Sequence, residues 1–517
     1  MGRTSGRQWW ENGWAIALIC LSTTLPIWFV HTPPLIDLLS HMGRYRVQID
    51  LAHSPLLQQN YDFRWAVVGN LGADLIIGPL PRLFGLERAV WLVALSLPPI
   101  LAWGFLRAAR ALHGRIPGTA LAALPITLAF PWQYGFLNYW LGIGLAFHAW
   151  ASWVRMRETP DTRWPSLAIF VPVGGLIWLC HVYAWGVLSV MAGGYEVARA
   201  WKDGDRPALT GFARAFGLAI VRCWPFMLPL IIMPLWRQNG EGAVTLGWFW
   251  FDNKLAGLVN TLRDQSKPLD IASLVLLTML IFAGLRDQRL RFDARMGLSA
   301  LFFLILIVLI PYQLFGSAYA DSRLWPILFA CGVLAVAAKP GHERLEKWLA
   351  AAAIALLVVR LCFGVVGFAH YDRDYKSHLQ ALDQIREGSR VAVFINACNR
   401  PWRFNRTDHL GSMALTRRLA FVNTQWDVPG AQLLRMKGAP GSPYNADPSQ
   451  FVHDHGHCYA DMRPALAQRI GDFPRDRFQY VWLFGFETAR LPDYPGLHSL
   501  YHDKASILYA VEGSAGK

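Results

Sequence analysis

The sequence predicts a mainly α-helical, polytopic membrane protein with about 11 transmembrane helices, followed by a small extracytoplasmic α/β domain at the C-terminus. Three observations lead there. Of the 517 residues, 54% are hydrophobic and only 16% charged, whereas a soluble globular chain carries about 25% charged residues. The chain holds 24 tryptophans, a residue that collects where membrane meets water. Residues 369–517 break with the apolar pattern of everything before them. No short-period repeat is visible, which argues against a solenoid or propeller.

A spanning helix needs about 20 mostly apolar residues. Stretches of that kind lie near 12–31, 87–106, 116–134, 136–154, 166–182, 184–199, 212–236, 269–285, 296–316, 323–338 and 347–368. The first follows Arg3 and Arg7 like a signal peptide. It runs long, and no small-x-small site follows before Trp28 and Pro33-Pro34, so it reads as an uncleaved anchor.

Orientation follows from the Lys/Arg bias of short loops. With the N-terminus inside, Arg107, Arg110 and Arg115 are cytoplasmic, as are Arg155, Arg157, Arg163, Arg199, Lys202, Arg206, Arg286, Arg289, Arg291, Arg295, Lys339, Arg344 and Lys347. This requires that residues 60–86 do not cross. That stretch is broken by Gly69, Asn70, Gly72, Asp74, Pro79 and Pro81, and reads as juxtamembrane or re-entrant. The net charge of +14 is largely that of these inner loops and calls for no nucleic-acid partner. The expected organisation is a transmembrane domain over 1–368, with its first outer loop at 32–86, and a soluble domain over 369–517.

Within the tail, 391–395, 417–422, 480–484 and 506–511 read as strands, and 376–387 and 462–470 as helices. Cys20, Cys180, Cys223, Cys331 and Cys362 fall in or at the ends of apolar stretches, as small packing residues do. Cys398 and Cys458 are the two in the tail. In an oxidising compartment they form a disulfide; otherwise they are two buried thiols.

Chemistry concentrates at Pro33-Pro34-Leu-Ile-Asp37-Leu-Leu-Ser-His41-Met-Gly-Arg44-Tyr-Arg46, just after the first span. Asp37, His41 and Arg44 are spaced to share one helix face. The bland alternative is a helix cap with an ion pair from Asp37 to Arg44 or Arg46. Asp62, Arg64 and Asp74 lie in the same loop, and Asp74 sits in an apolar, glycine-rich stretch where it is functional or paired. Arg237 and Arg323 fall at outer span ends, where a charge is costly unless paired or used; an Asp321–Arg323 pair is the plainer reading of the latter. Asn138 has the character of an interhelical hydrogen-bonding residue, and His181 lies at an outer hairpin turn. Trp248, Phe249, Trp250 and Phe251 form either an interfacial belt or a wall for a lipid tail or sugar ring. His453-Asp-His-Gly-His-Cys458 reads as a solvated loop or a transition-metal ligand set. Asn405-Arg406-Thr407 matches a glycosylation sequon, which counts only in a eukaryotic secretory compartment.

An acidic residue just after the first span resembles the GT-C class of membrane glycosyltransferases, and the layout is similar along nearly the whole chain. Pro34-Leu-x-Asp37-x-x-x-His41-x-x-Arg44, Asn70-Leu-x-x-Asp74-Leu, Gly135-Phe-Leu-Asn138-Tyr-x-x-Gly142 and Asp321-x-Arg323 resemble a poorly characterised bacterial group of this type. The resemblance implies a bacterial inner-membrane enzyme with its tail in the periplasm. It would move a sugar from a polyprenyl-phosphate donor to an envelope glycan or lipid acceptor. It implies Asp37 as the base for the acceptor hydroxyl. Arg44, Arg64, Arg237 or Arg323 would meet the departing phosphate, and His41, Asp62, Asp74, Asn138 and His181 would line the substrate. The turn Trp132-Gln133-Tyr134 lacks the second acidic residue many members carry, so no divalent metal requirement is expected. Competing readings are an O-antigen ligase or polysaccharide polymerase, which usually has a large late loop, and a lipid or glycan transporter, which calls for midplane charges and inverted repeats.

Overall fold

The structure is a computed structural model. It describes residues 8–159, 164–202, 209–237, 244–398, 402–428, 431–438, 443–454 and 463–513. The chain forms two compact units. The first runs to Phe29 and adds Val67–Ala73 and Val93–Val366. The second comprises Val30–Ala66, Asp74–Leu92 and the chain from Gly367 onward. Residues 32–66 of the first outer loop are thus in the same unit as the tail.

The first unit is helical, and among the described residues three helices touching it are long and apolar enough to cross a membrane: Leu86–His113, Lys267–Arg286 and the long helix that starts at Glu343. A fourth is reached if Thr210–Arg222 and Trp224–Met233, bent by 57°, form one span. The other expected spans are shorter or broken helices, so the expected number of about 11 is not reached by length and apolarity. Proline is one reason. Pro26 opens the short helix Leu25–Trp28 after Gly13–Ser22. Pro117, Pro125 and Pro131 accompany a 3₁₀ run over Gly118–Leu128 and a four-residue turn of helix, because proline lacks the N–H that a continuous helix needs. Residues 60–86 form no spanning helix. They hold the strand Tyr61–Phe63 and the short helices Gly72–Ile77 and Pro81–Phe84.

Helix Val182–Lys202 packs on Leu137–Glu158, Leu209–Arg222 and Ala294–Leu309. Small residues make the approach possible: a Cβ on Gly142 would lie 2.6 Å from that of Ala184, and one on Gly194 would lie 2.5 Å from the Ser299 hydroxyl. Charges buried among these helices are answered by charges. Glu196 accepts from Arg157 at 2.7 Å and Arg222 at 3.4 Å. Arg360 donates to Asp270 at 3.0 Å and to the Leu262 carbonyl at 2.7 Å.

In the second unit the helix Leu38–Asp50 packs on Met413–Arg418 and on the strands Tyr61–Phe63 and Leu434–Met436, and the unit also holds a mixed sheet. Its strands are β1 (Arg390–Asn396), β2 (Phe421–Val422), β3 (Phe451–Val452), β4 (Tyr480–Phe484), β5 (Leu497–His502) and β6 (Ser506–Val511). Strand β1 pairs in parallel with β4 along one edge, and with β2 and β3 at the two ends of the other. Strand β6 then pairs antiparallel with β4 and with β5. Val391 to Ile395 are fully buried, as the continuous apolar run of a central parallel strand requires. Tyr61–Phe63 pairs with Leu434–Met436. The expected strand over 417–422 is shorter. Met413–Arg418 is helical, Leu419 turns the chain at φ 51°, and pairing begins at Phe421. Cys398 is disulfide-bonded; Cys458, its expected partner, lies outside the described residues.

His378 pairs with Asp503, in the turn between β5 and β6. Its Nδ1 lies 2.6 Å from the Asp503 carboxylate, which also accepts from the Ser377 hydroxyl and the Ala505 and Ser506 N–H groups. Burial alone would raise the Asp503 pKa, but His378 and these donors hold it down at about 2. A carboxyl whose pKa is lower folded than unfolded adds stability above its unfolded pKa, and loses it as pH falls through the folded one. Asp503→Asn should therefore destabilise the full chain in detergent by about 2 kcal/mol at neutral pH. Melting curves should show the gap to wild type closing between about pH 4 and pH 2.

Candidate functional site

The helix Leu38–Asp50 places the first residues. Asp37 is its N-cap, yet the carboxylate makes no capping hydrogen bond. The two arginines that could pair with it are engaged elsewhere. Arg44 is enclosed with Asp74 in an ion pair whose side chains are 3% and 0% exposed, and its guanidinium lies over the Tyr45 ring. Arg46 reaches Asp50 and the Thr416 carbonyl. Asp74 is therefore paired, and the cap-and-salt-bridge reading of Asp37 does not describe this helix. Arg44 also turns away from the shared face, leaving Asp37 and His41 together, with the His41 N–H on the Asp37 carbonyl at 3.0 Å.

The partner beside Asp37 comes from the tail. His409 Nε2 lies 3.6 Å from Asp37 Oδ1, with the His409 side chain 5% exposed and that of Asp37 17%. Trp426 stands between the two histidines, its ring 4.8 Å from His409 and 5.0 Å from His41. Asp447, which burial pushes up to about 6, hydrogen-bonds Gln450 and Trp426. Asp37, His41 and Trp426 are each partly exposed, while His409 is buried.

The loop leading to Asp37 is fixed from the same unit. Asp372 accepts from the His31 and Thr32 N–H groups at 2.9 and 3.4 Å. Burial would raise its pKa, but Lys376 and these two donors lower it. Arg406, fully buried among Phe368, Tyr371 and Phe404, donates to the Pro34 carbonyl. Past Asp37, the Ser40 hydroxyl donates to the Thr424 carbonyl at 2.9 Å. Gly43 lets the helix come close, since a Cβ there would lie 2.7 Å from Gln425 and 3.0 Å from Leu415.

Asp62 and Arg64 pair with each other at 2.9 Å on and beside the strand Tyr61–Phe63, both well exposed. The Arg64 hydrogen bond lowers the Asp62 pKa. Asn405 accepts from Thr407 and donates to Asp408 at 2.9 Å, so the sequon's amide is used within its own turn. Of the His453–Cys458 run, His455, Gly456, His457 and Cys458 lie outside the described residues. Among the described residues no three His, Cys, Asp or Glu side chains gather as a metal site.

The first unit has a second cluster. Arg323 Nη1 lies 3.2 Å from His181 Nε2, and its guanidinium sits over Phe136 at 4.1 Å, Tyr183 at 5.4 Å and Tyr139 at 5.7 Å. The expected Asp321–Arg323 pair is not the one formed. Asp321 pairs with Lys254 at 3.1 Å, and Lys254 also donates to the Ile307 and Ile310 carbonyls. Sequence reading passed over Lys254 because it follows the aromatic run 248–251 in an outer loop. Trp248, Phe249, Trp250 and Phe251 are all about half exposed, and Trp250 stacks on Tyr312 at 5.9 Å. Asn138 straps residues 70–73. Its amide donates to the Asn70 carbonyl at 2.8 Å and accepts from the Ala73 N–H at 2.5 Å. The side chain of Arg237 lies outside the described residues.

His409 and Trp426 carry no signal that sequence reading could use. They lie far along the chain from Asp37, and no fixed spacing links a loop to a separate domain.

With this geometry in view, the comparisons with known proteins are brief. No family model matches the chain, and no curated protein does. Two solved structures of ArnT from Cupriavidus metallidurans are similar to it. The one bound to undecaprenyl phosphate is 12% identical, and the one in the apo state 13%. Each match covers 98% of both chains at a TM-score of 0.47, a likeness too low to settle the fold or the family.

Removing one member of a buried ion pair leaves the other uncompensated, at a cost of about 3–5 kcal/mol. Arg44→Met and Asp74→Leu should each sharply reduce the folded protein recovered from membranes. The double variant should recover most of it. Size-exclusion chromatography of detergent extracts reads this directly.

Proposed function

We propose that this chain is a membrane glycosyltransferase that transfers a sugar from a polyprenyl-phosphate carrier to an envelope glycan or lipid on the outer face of a bacterial inner membrane. The carrier is of the class of the undecaprenyl phosphate bound in one ArnT structure; the support comes from this chain's own residues. The observation that carries the reading is Asp37, a partly exposed carboxylate at a helix N-terminus that makes no capping bond and lies beside an imidazole.

In the proposed reaction Asp37 accepts the proton of the acceptor hydroxyl. The acceptor oxygen bonds to the anomeric carbon as the bond from that carbon to the phosphate oxygen breaks. The electron pair leaves with the lipid phosphate. Negative charge grows on the phosphate, and fixed donors stabilise it. Arg44 is set aside for that role, because Asp74 holds it. The disulfide at Cys398 supports an oxidising compartment for the tail.

The test is a lipid-linked sugar profile of cells carrying the wild-type chain, none, or Asp37→Asn at matched abundance. The expected outcome is accumulation of a polyprenyl-phosphate sugar, and an envelope glycan or lipid short of that sugar, in the last two. A wild-type profile from Asp37→Asn would remove Asp37 as base.

A further inference from the structure

Resting on that reading, we infer that the tail builds part of the active site: His409 orients the Asp37 carboxylate, and Trp426 is the wall against which the transferred sugar stacks. A tail that only stabilised the protein would have no need to place these groups around Asp37.

Three observations carry the inference. First, His409 is buried while Asp37 is not, and the edge of the imidazole faces one carboxylate oxygen at 3.6 Å. The imidazole stands on one side of a carboxylate that is itself partly exposed. A base held in one orientation works from a single geometry, and misplacement by about 1 Å can cost 100-fold in rate. Second, Trp426 is partly exposed and meets both His41 and His409. Its indole is hydrogen-bonded to Asp447, so the ring is held at its edge, and the two imidazoles are tilted to it at 44° and 53°. Aromatic walls with a few fixed polar groups are what small-molecule sites are made of. A sugar ring has an apolar C–H face for the indole and hydroxyls for Asp37 and His41. Third, the placement is built on both sides of Asp37. Arg406 holds the Pro34 carbonyl before it, and Ser40 and Gly43 seat the following turn on Thr424, Gln425 and Leu415. The Ser412 hydroxyl joins Thr424 and Gln425, at 2.6 and 3.1 Å, and so ties the turn after His409 to the segment before Trp426.

His409 is therefore a positioning residue acting through Asp37, and Trp426 a binding residue. The test uses isolated membranes carrying the full chain. The donor is the polyprenyl-phosphate sugar that accumulates in Asp37→Asn cells, and the acceptor is whatever those membranes hold. At matched abundance, His409→Ala should lower kcat on the order of 10- to 100-fold with little change in donor KM. His409→Gln, which keeps an N–H at the same reach, should recover much of it. Trp426→Ala should raise donor KM several-fold, and Trp426→Phe should stay near wild type. If both alanine variants match wild type while Asp37→Asn is inactive, the inference is wrong and the proposed function stands. If Gln and Phe are as impaired as Ala, the two residues are structural and the inference again fails. If Asp37→Asn accumulates no carrier-linked sugar, the proposed function and the inference fall together.

Discussion

A charge taken out of water must be answered where it is buried, and that constraint organises both units of this protein. Arg44 with Asp74, Lys254 with Asp321, Arg360 with Asp270, and Glu196 with Arg157 and Arg222 are all closed in this way. Each pair joins segments remote in sequence, so each also fixes where a loop or helix must run. Removing the charges from water sets the geometry, and hydrogen bonds to carbonyls complete it, as at Lys254 and Arg360.

Asp37 differs in kind. Arg44 and Arg46, the arginines nearest in sequence, are committed to other carboxylates, and His409 lies beside Asp37. The engagement of Arg44 with Asp74 keeps that guanidinium on a different carboxylate.

The apolar stretches and strands β1, β4 and β6 were legible, because continuous apolar runs and turn residues report local structure. The lengths of the membrane helices were less so. Pro26, Pro117, Pro125 and Pro131 sit inside stretches whose mean apolarity says span, and composition does not weigh where a backbone donor is missing. The outer loop's partition was also hidden. Residues 67–73 are grouped with the first unit and 74–92 with the second, a division made by contacts such as Asn138 to Ala73 and Arg44 to Asp74. Asp37 and His41 could be read from position and spacing. Lys254, His409 and Trp426 could not, because their roles come from tertiary neighbours.

The central claim is that Asp37 is the base in sugar transfer from a lipid phosphate. It is tested most directly by release of free polyprenyl phosphate from its sugar conjugate by the purified full chain in nanodiscs with an acceptor extract, followed by mass spectrometry. The account predicts steady release by wild type and a rate at least about 100-fold lower for Asp37→Asn. Equal rates for the two proteins would contradict it.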